Sequence, residues 1–299
     1  MTGALQDGLV LVSYGNRGVV ELADGGHVDC LWRRSVGRPV CGDVITVSEG
    51  PDGGFVATAI RARENAFSRA NARSEKQVIA ANLDQVLVVV APEPAPSRDL
   101  VERYLVAVHS LGMEPVLVLN KAELMADRGI DPSSPLSRLD AYQALGYTVL
   151  ETSCKTAPGA ESLLPVLEGR TSILVGQSGV GKSSLVNTIV PDLELQTGEL
   201  SRVTGKGTHT TTTTMLYRLP FGGRLIDSPG VWEYGLWRME REELETGFPE
   251  FHDLGQPCRF NDCSHRSEPG CAVRAAVEAG LIPAWRYESW LRLLEQNDD

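Results

Sequence analysis

The sequence predicts a doubly wound α/β domain, preceded by a small all-β barrel and followed by a short helical region with a Cys/His cluster. Three observations support this organisation. Short β-rich runs fill about the first 60 positions, buried apolar strands alternate with amphipathic helices in the middle, and strand patterns stop after about Met239. We place the three domains at residues 1–68, 69–238 and 239–299.

The N-terminal region contains five β-rich runs separated by Gly, Asn, Asp or Pro. The runs are LVLVSY, GVVEL, VDCLW, DVITV and GFVATAI, between about Gly8 and Ile60. Five short strands over about 60 residues favour a compact barrel such as an OB-fold. An SH3-like barrel fits the same spacing, so the pattern leaves the barrel type open.

Continuous apolar runs in the middle of the chain are typical of buried parallel strands. They are QVLVVVA at 85–91, PVLVLN at 115–120, YTVLE at 147–151 and SILVG at 172–176. Between them, the segments 99–112 and 137–146 space their apolar residues by three and four, as amphipathic helices do. This alternation predicts a parallel sheet with helices on both faces.

A phosphate-binding loop is predicted where the strand SILV is followed by a helical segment. The loop is Gly176-Gln177-Ser178-Gly179-Val180-Gly181-Lys182-Ser183-Ser184. Its glycines let successive backbone N–H groups face a phosphate at a helix N-terminus. We expect Lys182 to neutralise the β- and γ-phosphate oxygens and the hydroxyl of Ser183 to ligate Mg²⁺.

Two later segments complete the predicted phosphate site. Asp227-Ser228-Pro229-Gly230 follows the strand RLI, where Asp227 would hold Mg²⁺ and the N–H of Gly230 would contact the γ-phosphate. Between the two motifs lies Gly207-Thr208-His209-Thr210-Thr211. We choose Thr211 as the further Mg²⁺ ligand, with Thr210 as the alternative.

Two loops after buried strands are typical of guanine recognition. Asn120-Lys121-Ala122-Glu123 and Ser153-Cys154-Lys155 both follow strand C-termini, where open α/β sheets bind ligands. The carboxylate of Glu123 would accept from guanine N1–H and N2–H₂, Asn120 would meet the base edge, and the stem of Lys121 would lie along the ring. An aspartate is usual at the position of Glu123, whose side chain is one methylene longer.

Three of the six cysteines cluster near the C-terminus. Cys258, Cys263, His265 and Cys271 supply three thiolates and one imidazole within 14 residues, the ligand set of a closed structural zinc site. Four protein ligands leave no open position. Zinc is therefore expected to hold this loop together and to orient two predicted helices between Ala272 and Glu295.

The base loops precede the phosphate loop here, whereas they come last in ordinary GTPases, so the motif order is circularly permuted. With DSPGVWEYGLW at 227–237, GFPEFHDL at 247–254 and the Cys/His cluster, the chain resembles the RsgA (YjeQ) family of circularly permuted GTPases over almost its whole length. The resemblance implies an OB-fold, a P-loop GTPase domain and a zinc domain. It also implies a function in late maturation of the small ribosomal subunit.

The family implies that the GTP-bound form binds the small subunit and its rRNA, and that hydrolysis to GDP releases it. Val231 stands where many GTPases place the glutamine that orients water. The resemblance implies slow intrinsic hydrolysis, stimulated by the subunit, with a switch I histidine as the candidate catalytic group. That histidine maps onto His209, which would act together with Lys182. Because switch II leads into the zinc domain, loss of the γ-phosphate would have a route to reposition that domain.

Composition limits other functions. A formal net charge of −11 excludes a generally basic protein that coats nucleic acid. A local patch that contacts RNA phosphates is still open, with Trp32 for stacking and the residues Arg33, Arg34, Arg38, Arg61, Arg63 and Arg69. No run of about 18 apolar residues and no N-terminal signal pattern is present, so we expect a cytoplasmic monomer without membrane contact.

Two alternative functions fit parts of the pattern. A nucleotide-gated rRNA-binding scaffold would hydrolyse GTP only incidentally. A P-loop ATPase or small-molecule kinase would accommodate Glu123, although the paired NKAE and SCK loops favour guanine.

Overall fold

The computed structural model describes residues 5–50, 53–70, 76–126, 129–156, 159–190, 193, 196–198, 214–228 and 240–298. The strands are β1 Leu5–Tyr14, β2 Arg17–Leu22, β3 His27–Trp32, β4 Val44–Glu49, β5 Phe55–Ile60, β6 Ala66–Ala70, β7 Lys76–Ala81, β8 Gln85–Val90, β9 Glu114–Leu119, β10 Thr148–Glu151, β11 Thr171–Val175, β12 Met215–Arg218 and β13 Arg224–Asp227. The helices are α1 Leu100–His109, α2 Leu139–Ala144, α3 Leu164–Leu167, α4 Lys182–Ile189, α5 Arg241–Glu245, α6 Ala272–Glu278 and α7 Ala284–Asp298.

Strands β1 to β5 close into a barrel in the order β1-β2-β3-β5-β4, with β4 pairing back onto β1. The pairs are antiparallel except β3 and β5, which run parallel. Val10, Val20, Ile45 and Trp32 fill the barrel core. Five strands closed in this way form an OB-like barrel, which decides between the two barrel types that the sequence left open.

The α/β domain is built on a parallel sheet in the order β10-β9-β8-β11-β13. Along β8, Val86, Val88 and Val90 face one apolar core, and Leu87 and Val89 face the other. Helices α1 and α2 cover the first face, and α3 and α4 cover the second. Burial on both faces explains why the predicted strands are continuous apolar runs.

Strand β12 joins the barrel to the sheet of the α/β domain. It pairs antiparallel with β13 and contacts β1 through Met215 and Val12. The hairpin of β6 and β7 adds a second connection, because Cys41 of the barrel forms a bridge with Ala80. The sequence did not predict this hairpin, and the proposed boundary between residues 68 and 69 falls within β6.

The C-terminal region packs α5, α6 and α7 around an apolar core that includes Leu244, Phe248 and Trp290. The two predicted helices of this region are present, and they are separated at Ile282 and Pro283. Within the described ranges, the chain forms no helix with the length and apolar character needed to cross a membrane.

Candidate functional site

The predicted nucleotide loops lie at the carboxyl ends of the strands of the parallel sheet. The phosphate loop follows β11, the NKAE loop follows β9, and the SCK loop follows β10. All three strands are parallel members of the same sheet, so their carboxyl ends lie on the same side of the domain. Ligands bind at these carboxyl ends of the strands in this class of fold.

Asn120 connects the first base loop to the phosphate loop. Its Nδ2 donates to the carbonyl oxygen of Val180 at 2.8 Å, and its Oδ1 accepts from the hydroxyl of Thr152 at 3.1 Å. Asn120 is 1% exposed, so both bonds are shielded from water. Thr152 therefore fixes the orientation of the amide. Thr152 directly precedes the SCK loop and was not among the predicted site residues.

A second connection runs through Lys121. Its Nζ donates to the carbonyl oxygens of Gly179 at 2.6 Å and Glu93 at 2.7 Å. Gly181 lies close by with a φ of 98°, and a Cβ at this position would lie 2.4 Å from Nδ2 of Asn120. Only glycine permits this backbone and this approach. The contact to Glu93 uses a backbone carbonyl, which leaves no signal in the sequence.

The SCK loop is shaped by Ser153. Its Oγ accepts from the backbone N–H of Lys155 at 3.1 Å and of Thr156 at 3.0 Å. Ser153 is buried, whereas Cys154 and Lys155 are exposed. The serine therefore folds the loop, and the next two residues lie at its surface.

Glu123 has a carboxylate oxygen that lacks a partner. In the part of the chain that the structure describes, its Oε2 is buried and accepts no hydrogen bond. An unpaired buried acceptor is unfavourable and in native proteins points to a missing ligand or water. A donor on a bound base would satisfy this atom.

Lys182 is the buried cation of the phosphate loop. Its Nζ donates to the carbonyl oxygens of Gly176 at 2.7 Å and Gln177 at 2.8 Å. Burial lowers the pKa of Lys182 to about 8, against the attraction of Asp227, and burial raises the pKa of Asp227. A cation held in a glycine-rich loop at a helix N-terminus favours an anionic ligand.

The structure places Asp227 at the end of β13, which pairs with β11. Ser183 and Ser184 are exposed at the start of α4. The carboxylate of Asp227 and the hydroxyl of Ser183 are the oxygen ligands that Mg²⁺ accepts in such sites. The remaining predicted residues of the phosphate site lie outside the described ranges, namely His209, Thr210, Thr211 and Gly230.

The predicted cysteine and histidine ligands come together in the C-terminal region. One ligand atom from each of Cys258, Cys263, His265 and Cys271 lies within 4.8 Å of the others. Nδ1 of His265 is 3.6 Å from Sγ of Cys258 and 3.4 Å from Sγ of Cys271. Three sulfurs and one imidazole nitrogen at these distances can hold one metal ion.

The surroundings of this cluster orient its ligands. The backbone N–H of Ala272 donates to Sγ of Cys258 at 3.3 Å, and Oε1 of Glu245 lies 3.5 Å from Nε2 of His265. A carboxylate behind a histidine ligand is common in metal sites, where it sets the ring orientation. Glu245 was not among the predicted site residues, because it lies outside the cluster, 20 positions before His265.

Among the arginines predicted to contact RNA, those whose side chains the structure describes divide into two groups, and the side chain of Arg69 lies outside the described part. Arg61 and Arg63 pair with Asp7 and Asp43. Trp32 is 5% exposed in the barrel core, so the prediction of a stacking aromatic was wrong. By contrast, the β3–β4 loop carries exposed arginines without an ion-pair partner among the described residues, namely Arg33, Arg34 and Arg38.

Comparison with known proteins finds relatives that match nearly the whole chain. The family model described as RsgA GTPase matches residues 60–237. The chain is 43% identical over 296 residues to the small ribosomal subunit biogenesis GTPase RsgA of Hahella chejuensis, covering 98% of this chain and 84% of that protein. It is 44% identical over 293 residues to the protein of the same name from Chromohalobacter salexigens, covering 96% and 85%.

Two solved structures are similar over nearly their full length. The crystal structure of YjeQ from Thermotoga maritima matches with a TM-score of 0.79 and 32% identity, covering 98% of this chain and 99% of that one. The crystal structure of YloQ, a circularly permuted GTPase, matches with a TM-score of 0.74 and 26% identity, covering 99% and 96%.

Proposed function

Because the chain belongs to the RsgA GTPase family, we propose that it hydrolyses GTP in late maturation of the small ribosomal subunit. One observation supports this most directly. The base loop is bonded to the phosphate loop through Asn120 and Lys121, so base and phosphates would be bound by one connected unit. The base loop precedes the phosphate loop in the chain, which is the circularly permuted order.

The proposed guanine site uses both base loops. Glu123 would accept from guanine N1–H and N2–H₂ with its carboxylate, whose Oε2 has no hydrogen-bond partner among the described residues. Asn120 would meet the base edge, the stem of Lys121 would lie along the ring, and the SCK loop of Ser153, Cys154 and Lys155 would close over the base. The glycine-rich loop from Gly176 to Ser184 would bind the phosphates through backbone N–H groups.

The proposed phosphate chemistry combines positioning with charge neutralisation. Lys182 would move from the carbonyl oxygens of its own loop to the β- and γ-phosphate oxygens. Ser183, Thr211 and Asp227 would hold Mg²⁺, which supplies further positive charge when it is bound with GTP. The N–H of Gly230 would contact the γ-phosphate. His209 would orient the attacking water or accept its proton, in a chain that has Val231 in place of the usual glutamine.

The Cys258, Cys263, His265 and Cys271 cluster is proposed to hold one zinc ion. Its donor set and spacing fit a closed tetrahedral site. With four protein ligands, the ion would stabilise the fold and would not activate water.

The proposed partner is the small ribosomal subunit with its rRNA, bound in the GTP state and released after hydrolysis to GDP. The exposed arginines of the β3–β4 loop are suited to phosphate contacts. We propose a cytoplasmic monomer without membrane contact. We also propose that residues 1–68, 69–238 and 239–299 act as barrel, GTPase and zinc domains.

The function is tested by measuring GTP and ATP hydrolysis of the purified protein, each with and without small ribosomal subunits. We expect slow GTP turnover that the subunits accelerate, and no comparable ATP turnover. Equal use of ATP would favour the ATPase or kinase alternative. GTP turnover that does not respond to the subunits would favour the scaffold alternative.

Replacing Glu123 with glutamine is expected to weaken GTP binding by about 100-fold, because an amide replaces one acceptor with a donor that opposes the guanine N–H groups. Affinity for ATP should stay unchanged, and displacement of a fluorescent nucleotide measures both values. Glu123→Asp is the matched control, since it keeps both acceptor oxygens. Wild-type GTP affinity in Glu123→Gln would show that this carboxylate does not bind the base.

GDP binding is expected to weaken as the pH rises above about 8. Because burial lowers the pKa of Lys182 to about 8, the free protein loses this proton above that pH. Binding of the β-phosphate favours the charged lysine, so a proton must then be taken up, and affinity should fall by up to about tenfold per pH unit. Calorimetry between about pH 7 and pH 9.5 measures the slope. GMP, which lacks the β-phosphate, is the control, and equal slopes would contradict the assignment.

A further inference from the structure

The C-terminal region and the α/β domain complete each other's apolar cores. Val106 of α1 belongs to the core that surrounds Phe248 and Trp290. In the opposite direction, Trp285 of α7 packs on the core beneath α1 and α2, with its ring centroid 5.1 Å from that of Tyr142. Regions that move independently usually meet through smaller and more polar contacts.

Gly247 brings the two regions into backbone contact. A Cβ at this position would lie 2.6 Å from Cα and 2.8 Å from the backbone N of Val106. These distances are well inside van der Waals contact, and the backbone of a helix cannot move aside as a flexible side chain can. Any residue larger than glycine would therefore force the C-terminal region away from α1.

Arg286 of α7 is the polar centre of the interface. Arg286 is 0% exposed, and its Nε donates to Oε1 of Glu250 at 2.6 Å. Its Nη2 donates to the carbonyl oxygen of Gly247 and to the hydroxyl of Tyr147, the latter at 3.3 Å. The guanidinium also lies 4.2 Å from the ring centroid of Phe248. It thus bonds residues on both sides of the interface.

Glu102 faces Arg286 from α1. It is 0% exposed, accepts a hydrogen bond from the hydroxyl of Tyr142, and has its Oε1 3.9 Å from Nη1 of Arg286. Arg286 therefore faces two carboxylates, Glu250 at 2.6 Å and Glu102 at 3.9 Å. Removing Arg286 would leave the carboxylate of Glu102 buried without its cation. At the rim, Arg292 adds an ion pair with Asp99 at 2.7 Å.

We propose that Gly247, Arg286 and Glu102 form a lock that keeps the metal-binding region fixed to α1 in both the GDP-bound and the GTP-bound states. Nucleotide-driven movement of the Cys/His cluster then carries α1 with it. The chain order suggested that loss of the γ-phosphate could reposition the region after switch II. The lock restricts such movement to the two regions together, whether or not the ribosomal subunit is the partner.

Hydrogen exchange of the full-length protein, followed by mass spectrometry, tests the lock in GDP and in a non-hydrolysable GTP analogue. We expect peptides that contain α1, Gly247 and α7 to be equally protected in both states, while the phosphate loop changes its protection. Loss of protection at α1 and α7 in one nucleotide state alone would overturn the proposal.

Gly247→Ala tests the contact directly, because it adds one methyl group against Val106. We expect exchange in α1 and α7 to accelerate together by about 100-fold, as an interface with a buried ion pair opens. Gly129→Ala is the matched control, since a Cβ there meets no atom within 4 Å. Unchanged exchange in Gly247→Ala, or acceleration confined to one of the two helices, would show that the lock does not exist.

Discussion

Replacing Lys182 with methionine is expected to reduce GTP turnover by at least about 100-fold, the loss typical of a group that stabilises charge in a transition state. The Nζ of Lys182 is the buried cation at the start of α4. Methionine is an unbranched side chain only one atom shorter and carries no charge, so the phosphate oxygens would lose their neutralising partner. Phosphate release under single-turnover conditions measures the effect.

The same variant should fold about as well as the wild type. Burial lowers the pKa of Lys182 to about 8, which means that the folded protein disfavours its charge. A methionine removes that penalty and also removes the hydrogen bonds to Gly176 and Gln177, so the melting temperature of the nucleotide-free protein should stay close to the wild-type value. Arg170→Met is the matched control, because it removes an exposed cation that pairs with Glu114. Near-normal turnover in Lys182→Met would exclude the proposed role.

Much of the α/β domain could be predicted because its strands are buried on both faces. The run at 85–91 became β8 at Gln85–Val90, and the run at 115–120 became β9 at Glu114–Leu119. Strand β6 has the sequence AFSRA, which contains no β-branched residue, so local propensity did not distinguish it from a linker. Its pairing with β7 depends on tertiary contacts that spacing along the chain does not reveal.

The site residues were predictable where a motif fixes residue types at fixed spacing. The hydrogen bonds between the loops could not be predicted from the sequence. Asn120 reaches Val180 across 60 positions, and Lys121 reaches Glu93 across 28 positions, and both acceptors are backbone carbonyls that any residue could supply. The buried pair of Glu102 and Arg286 was also missed, because a charged residue in an amphipathic helix is usually exposed. The switch I assignments of His209 and Thr211 stay predictions.

Circular permutation changes which contacts must hold the site together. The loops of Asn120 and Ser153 come before the phosphate loop in the chain. Asn120 and Lys121 nevertheless bond to the phosphate loop, and Thr152, which precedes Ser153, bonds to Asn120. The base and phosphate loops are therefore held together by bonds that do not depend on the order of the strands. The carboxyl ends of these strands can therefore form one nucleotide site although the base loops come first in the chain.

Loss of the metal from the Cys/His cluster is expected to unfold the region around α6. Sγ of Cys271 accepts from the backbone N–H of Arg274 at 3.4 Å, so this residue is a proposed ligand and also the N-cap of α6. Structural zinc sites contribute on the order of 10 kcal/mol, far more than a lost N-cap at about 1 kcal/mol. Cys271→Ser should therefore lose both zinc and the exchange protection of α6.

Elemental analysis of the purified protein measures the zinc content, and hydrogen exchange measures the protection of α6. Cys154→Ser is the matched control, because it replaces an exposed thiol far along the chain and should retain one zinc ion. A chelator applied to the wild type should reproduce the effect of Cys271→Ser, since both remove the same ion. A zinc-free protein that keeps α6 fully protected would mean that the apolar core around Trp290 stabilises this region without metal.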